Sequence, residues 1–251
     1  ILGALQVPAG FCRNHGVSSG DMVRPMGFAW RPTDEARPAE EDRLRTEKRL
    51  VKNMERDPDD AAASEELGLF YIASGKPSEA MEIFKGLLDK DRTARRLNAM
   101  GAALAGMGRW KEAEANFLEA MERDPHFAPT CNNLIRIYRR TGRLEKAAEV
   151  FEGVLKKHPQ SLPACLALSR VYLETGELEA AYRLLHGRRT EGDEAALVAR
   201  RLGDIHLRRG ELEKAADAYL RFLRIRPYDA HAQDLKAFVL VHKAKNGGSG
   251  R

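Results

Sequence analysis

The sequence predicts an all-α fold, a solenoid of antiparallel helix pairs, on three observations. Gly75, Gly108, Gly142, Gly176 and Gly210 stand 33, 34, 34 and 34 residues apart. Each is followed five residues later by alanine, at Ala80, Ala113, Ala147, Ala181 and Ala215. Around these anchors apolar residues recur every three to four positions, the period of a helix face and not the alternation of a strand.

The elements follow in chain order. Residues 1–38 hold Gly, Pro and Ser with no sustained periodicity, and an irregular or disordered segment is expected. The chain starts Ile-Leu-Gly rather than with Met, which leaves open that it is a fragment. Its apolar start, ILGALQVPAGFC, lacks a preceding basic region and a clean small-residue cleavage site, so it reads poorly as a signal peptide. Residues 39–58, ending at Pro58, fit a helix that caps the array or is left from a degenerate repeat. Five units come next, at 61–93, 94–127, 128–161, 162–195 and 196–229.

In each unit the turn glycine permits the left-handed conformation that ends a first helix. Four residues before it stands Tyr71, Leu104, Tyr138, Tyr172 or His206, and four before that Leu67, Met100, Leu134, Leu168 or Leu202. Four residues after each alanine comes Phe84, Phe117, Phe151, Leu185 or Tyr219, the core stripe of a second helix. Alanine keeps the paired helices close, and Pro125, Pro159 and Pro227 stop second helices. Residues 230–245 fit a helix sealing the last apolar face, and 246–251 a flexible tail.

The pattern of Leu-Gly-x2-Tyr type followed by Gly, Ala, Phe, Ala and Pro resembles the tetratricopeptide repeat (TPR) over residues 61–229. The best unit runs from Ala94 to Phe127, with Met100, Gly101, Leu104, Gly108, Ala113, Phe117, Ala120 and Pro125 in register. The resemblance implies a right-handed superhelical solenoid that binds other proteins. Two units depart from the pattern: the first is one residue short, with Arg92 near the expected proline, and the fourth has HGRRTEGDE from His186 where a second helix should finish, implying a shortened helix and a loop at 187–193.

Composition bounds the function. Lys and Arg number 42 against 37 Asp and Glu, a net charge of +5, and no run nears the roughly 20 apolar residues of a membrane span. Cys12, Cys131 and Cys165 form no CxxC pair, so a reducing, cytoplasmic location is expected, or a periplasmic one if the start is the remnant of a signal. Cys12 and His15 make a CxxH pair without the second pair that a four-ligand zinc site needs. Cys131 and Cys165 hold equivalent slots in adjacent units, roughly 10 Å apart, too far for a disulfide, and read as core residues. His206 sits in the tyrosine slot and reads as a packing residue. No phosphate-binding loop or HExxH is found, and the all-helical pattern lacks the strand context that nucleophile and nucleotide motifs need, so no enzyme, cofactor or metal is expected, unless the array is the regulatory part of a larger enzyme.

The binding residues are those the resemblance implies. In the family the first helix of each repeat lines a groove, and its ligand-facing positions here are Arg95, Asn98, Asn132, Asn133, Arg136, Arg139, Arg170, Arg200 and Asp204. Asparagine bonds an extended peptide backbone and arginine grips carboxylates in pairs of bonds, so an acidic peptide or partner is expected, with self-association as a further mode. The competing account is that solvated helix faces carry arginine anyway and pair it with neighbouring acids. One subclass grips a C-terminal carboxylate with Lys, Asn, Asn, Lys and Arg. Here Asn98, Ala102, Asn133, Pro163 and Ala167 hold those positions, and only Asn133 agrees. The arginine pairs, such as Arg139-Arg140 and Arg200-Arg201, raise an RNA-binding alternative. The scarcity of aromatics and the near balance of charge weigh against nucleic acid.

Overall fold

A computed structural model of the chain describes residues 36–244. The expected irregular segment up to residue 35, with its apolar start, Cys12 and His15, lies outside the described residues, as does the tail from 246. Among the described residues there are twelve α-helices and no strand.

Helix α1 (Ala36–Arg56) leads into five pairs: α2 (Ala61–Ala73) with α3 (Pro77–Lys90), α4 (Ala94–Gly106) with α5 (Trp110–Arg123), α6 (Ala128–Arg140) with α7 (Leu144–Lys157), α8 (Leu162–Thr175) with α9 (Leu178–Leu185), and α10 (Gly192–Arg208) with α11 (Leu212–Ile225). Helix α12 (Ala232–Ala244) packs on α11. The first helices α2, α4, α6, α8 and α10 lie in contact in succession, and each second helix also packs on the first helix of the next pair.

Residues 1–46 and 47–251 form two compact units. Of the first, the described part is the start of α1, where Arg45 pairs along the helix with Glu41 at 3.7 Å and Asp42 at 3.8 Å. Pro38 stands in its first turn, where a missing N–H breaks no helical bond. The second unit holds all five pairs.

Local chemistry explains the boundaries. The five turn glycines have φ of 71, 77, 66, 87 and 73°, a region that side chains with a Cβ rarely enter. Asp60 caps α2 by accepting from the Ala62 and Ala63 amides at 2.9 and 3.1 Å. Thr93 caps α4 and Ser161 caps α8 in the same way. Pro77, Pro129 and Pro163 stand in the first turns of α3, α6 and α8.

Packing within a pair is set by how near its helices come. A Cβ on Gly68, Gly101 or Gly203 would lie 2.7, 2.7 or 2.4 Å from the ring of Phe84, Phe117 or Tyr219, so in the first, second and fifth pairs the aromatic of the second helix packs on bare backbone of the first. Ile135 and Ser169 hold this slot in the third and fourth pairs. Phe84, Phe117, Phe151 and the slot alanines are buried. Between pairs, Tyr138 donates to Glu114 of α5 at 2.8 Å and Tyr172 to Glu152 of α7 at 2.7 Å, each reaching back to the preceding second helix. Burial, with these acceptors beside it, pushes the Tyr172 hydroxyl up to about 12.

The fourth pair is irregular. Its second helix α9 has eight residues, against fourteen in the other second helices, and the chain leaves through Gly187 at φ 82° and Gly192 at φ 53°. The next helix, α10, starts at Gly192 and has seventeen residues. Arg188 donates to the Pro159 carbonyl at 2.7 Å and ties the connection to the end of the preceding pair.

Candidate functional site

The first-helix face carries most of the expected binding residues, and they fall into two hollows joined by one carboxylate. The larger, of about 790 Å³, lies between α4 and α6. Ala102, Ala105, Gly106 and Met107 of α4 and its cap make one wall, Asn133, Arg136, Ile137, Arg139 and Arg140 of α6 the other. Ile72 closes it from α2, and Trp110 from the start of α5. The smaller, of about 290 Å³, is formed by Arg170, Leu173 and Glu174 of α8 with Arg201, Asp204, Leu207 and Arg208 of α10.

Asn133, in the wall of the larger hollow, is linked to Asn98, which does not line it. Asn98 Oδ1 accepts from Asn133 Nδ2 at 3.0 Å and from the Thr130 hydroxyl at 3.3 Å, and Asn133 Oδ1 accepts from Arg136 at 3.4 Å. This chain fixes the Asn133 amide and points Arg136 along the rim. Arg140 lies over the Trp110 ring at 4.8 Å, a cation–π contact that holds its charge at the edge of the hollow. Among the described residues neither Arg136 nor Arg140 has an ion-pair partner.

Glu174 stands between the hollows. It accepts from Arg170 at 3.2 Å and lies 3.9 Å from Arg139, so one carboxylate answers arginines on α6 and α8. Beyond it, Arg201 pairs with Asp204 at 3.4 Å, and Asp204 also accepts from the Tyr219 hydroxyl at 2.9 Å. The Arg201 Nε is buried with no hydrogen-bond partner. Desolvation, and repulsion from Arg170 and Arg200, hold this guanidinium below its ordinary pKa. Arg200 pairs with Asp229 at 3.4 Å and lies over the Phe222 ring.

Four expected residues line neither hollow: Asn98 and Arg200, bonded as described above, and Arg95 and Asn132. Arg95 lines a separate recess with Asp91, Arg92, Arg123 and Phe127 at the end of α5. Asn132 is exposed on α6, beside the larger hollow but not lining it. Met107 and Trp110 lie outside the family's ligand-facing positions, and sequence reasoning misses them. The sequence does carry a signal, since Trp110 takes a slot held by Pro77, Leu144, Leu178 and Leu212 in the other units.

The other singled-out groups are inward. Cys131 and Cys165 are free and buried, and burial raises the Cys131 thiol to about 12. His206 bonds Glu211 at 2.5 Å and meets the Tyr182 ring edge-on.

A stack of helix pairs whose first helices present polar side chains beside open hollows is a helical-repeat scaffold, a class that works by holding other proteins. Two family models, both described as tetratricopeptide repeat, match residues 48–95 with 98–161 and residues 142–200. The chain belongs to the tetratricopeptide repeat family. No curated protein matches it. Among solved structures it is similar to a thermophilic TPR protein of Thermus thermophilus, at 22% identity and TM-score 0.52 over 72% of this chain and 99% of that one. It is also similar to PilW, a widely conserved type IV pilus biogenesis factor, at 20% identity and TM-score 0.51 over 80% and 94%. At these identities the likeness is one of fold. Among the described residues no helix is long and apolar enough to cross a membrane.

Proposed function

We propose that this protein is a non-catalytic adaptor that holds an extended acidic segment of a partner protein along its first-helix face. The observation that carries the reading is Arg136 and Arg140 beside an open hollow with no carboxylate paired to either among the described residues. Other arginines of the array are answered from a neighbouring helix, Arg96 by Glu65 at 2.6 Å and Arg143 by Glu114 at 2.6 Å. Arg139, Arg170 and Arg200 extend the cationic track along α6, α8 and α10, and Asn133 offers its amide to a peptide backbone. Free, buried Cys131 and Cys165 are compatible with a reducing compartment, and we place the protein in the cytoplasm on that ground.

The test is fluorescence anisotropy of a labelled Asp/Glu-rich peptide against wild type and the Arg136→Glu, Arg170→Glu double variant, over a salt series. Wild type should bind with an affinity that falls as salt rises, and the double variant should lose at least about tenfold, the loss expected for removing charge-assisted bonds. Equal binding by both proteins would refute the groove.

A further inference from the structure

The hollow between α4 and α6 is more than a cationic surface. Its rim is charged, with Arg136, Arg139 and Arg140, but Ile72, Ala102, Ala105, Met107, Ile137 and the Trp110 ring supply apolar walls. Met107 is 37% exposed, a large apolar side chain left in water at the mouth. A site built only to hold carboxylates gains nothing from such walls, because apolar surface binds what can itself be removed from water. The volume of about 790 Å³ exceeds what one carboxylate group fills and suits a large side chain with its adjoining backbone.

The two pairs flanking this one support the reading by contrast. Where this pair has Met107 and Trp110, the first pair has Ser74 and Pro77 and the third has Thr141 and Leu144. Apolar bulk is added at one place along the track, where Arg140 stacks on the added ring.

Resting on the groove reading above, we propose that the partner segment carries a bulky apolar residue, such as Phe or Leu, flanked by acidic residues. The apolar side chain inserts between Met107, Trp110 and Ile72, and the flanking carboxylates meet Arg136 and Arg139. Charge complementarity fixes the occupant: three arginines around an apolar floor fit an anchor within an acidic context and repel a basic one. A single-stranded RNA would also find a ring and three cations. A lone ring already covered by Arg140 gives no second stacking platform for a run of bases, and the peptide is favoured.

The proposal is tested with three labelled decapeptides, one wholly acidic, one with a central Phe and one with a central Ala, and a dodecameric RNA. Each is titrated by anisotropy into the wild-type chain and into the Met107→Ser, Trp110→Leu double variant. Both replacements install residue types that the neighbouring pairs carry at these slots or nearly so, and circular dichroism checks that the variant is folded. On wild type the Phe peptide should bind about tenfold more tightly than the Ala peptide. In the variant that ratio should fall towards one, while the wholly acidic peptide keeps its affinity within about twofold. Equal binding of the Phe and Ala peptides to wild type, or a Phe advantage that survives in the variant, would overturn the anchor and leave the groove standing. Salt-insensitive or absent binding of all three peptides would overturn both, and RNA binding that the variant alone weakens would overturn the peptide in favour of nucleic acid.

Discussion

Alanine at two helix glycines should move stability in opposite directions. At Gly203 on α10 a new Cβ would lie 2.4 and 2.5 Å from Cε1 and Cδ1 of Tyr219, about 1 Å inside ordinary contact. The ring has little freedom to retreat. It is 2% exposed, its hydroxyl is bonded to Asp204 at 2.9 Å, and its edge meets Phe238 at 5.6 Å between centroids. Overpacking of this kind costs about 1–3 kcal/mol, and losing the Tyr219 bond adds up to about 1 kcal/mol. Alanine's better helix propensity offsets about 0.5–1 kcal/mol of this, so Gly203→Ala should destabilise by about 1–2 kcal/mol. At Gly86 on α3 nothing lies within 4 Å of the new atom, and alanine should stabilise by about 0.5–1 kcal/mol. Urea unfolding followed by circular dichroism measures both, and the two variants should differ in melting temperature by roughly 4–10 °C for a chain of this size. The reasoning fails if Gly203→Ala is as stable as wild type, or if the two variants shift the same way.

Three further outcomes are expected. Asp204→Asn takes the charged acceptor from Arg201 and Tyr219 at once and should cost about 1–3 kcal/mol in urea unfolding, whereas Arg201→Met, which removes the guanidinium with the unsatisfied Nε, should be near neutral. Glu174→Gln should tighten acidic-peptide binding severalfold by freeing Arg139 and Arg170, while the equal charge change Glu145→Gln on the exposed start of α7 should do much less; equal effects would reduce Glu174 to a bystander. Hydrogen bonds from Arg92 hold the Glu119 carboxyl below its ordinary value, and those from Arg226 do the same for Asp193. Their stabilisation is present above the unfolded carboxylate values, near pH 4, and is lost as the pH falls through the lower folded values, so urea midpoints at pH 6 and pH 3 should differ less in Arg92→Gln than in wild type.

The array is legible in the sequence because its constraints repeat. A glycine forced to positive φ, an alanine between close helices and a bulky apolar or aromatic residue four positions on leave the same trace in every unit, and the chain's helices follow it. Partner choice among charged side chains leaves no such trace. The family register makes Asn98 a ligand contact, yet its oxygen already accepts from Asn133 and Thr130. Arg170 shares Glu174 with Arg139 because of the distance between two helices, which no spacing in the sequence encodes. Trp110 escapes a reading by register because it lies at the start of a second helix, a place the family pattern does not assign to binding, and only the folded chain brings it opposite Arg140.

The eight-residue α9 has a mechanical consequence. In a linear stack each pair is held by its two neighbours, and stability passes along the stack through their interfaces. A second helix of half the usual length gives the next pair less to rest on, so the stack has a seam there. Thermal fluctuations should open the α10–α12 end as one block before the α4–α8 body loosens, which amide hydrogen exchange would register as two protection levels meeting near Gly187. Since Arg139 and Arg170 lie on one side of the seam and Arg200 on the other, a partner that grips all three would act as a splint, slowing exchange furthest from where it binds most tightly.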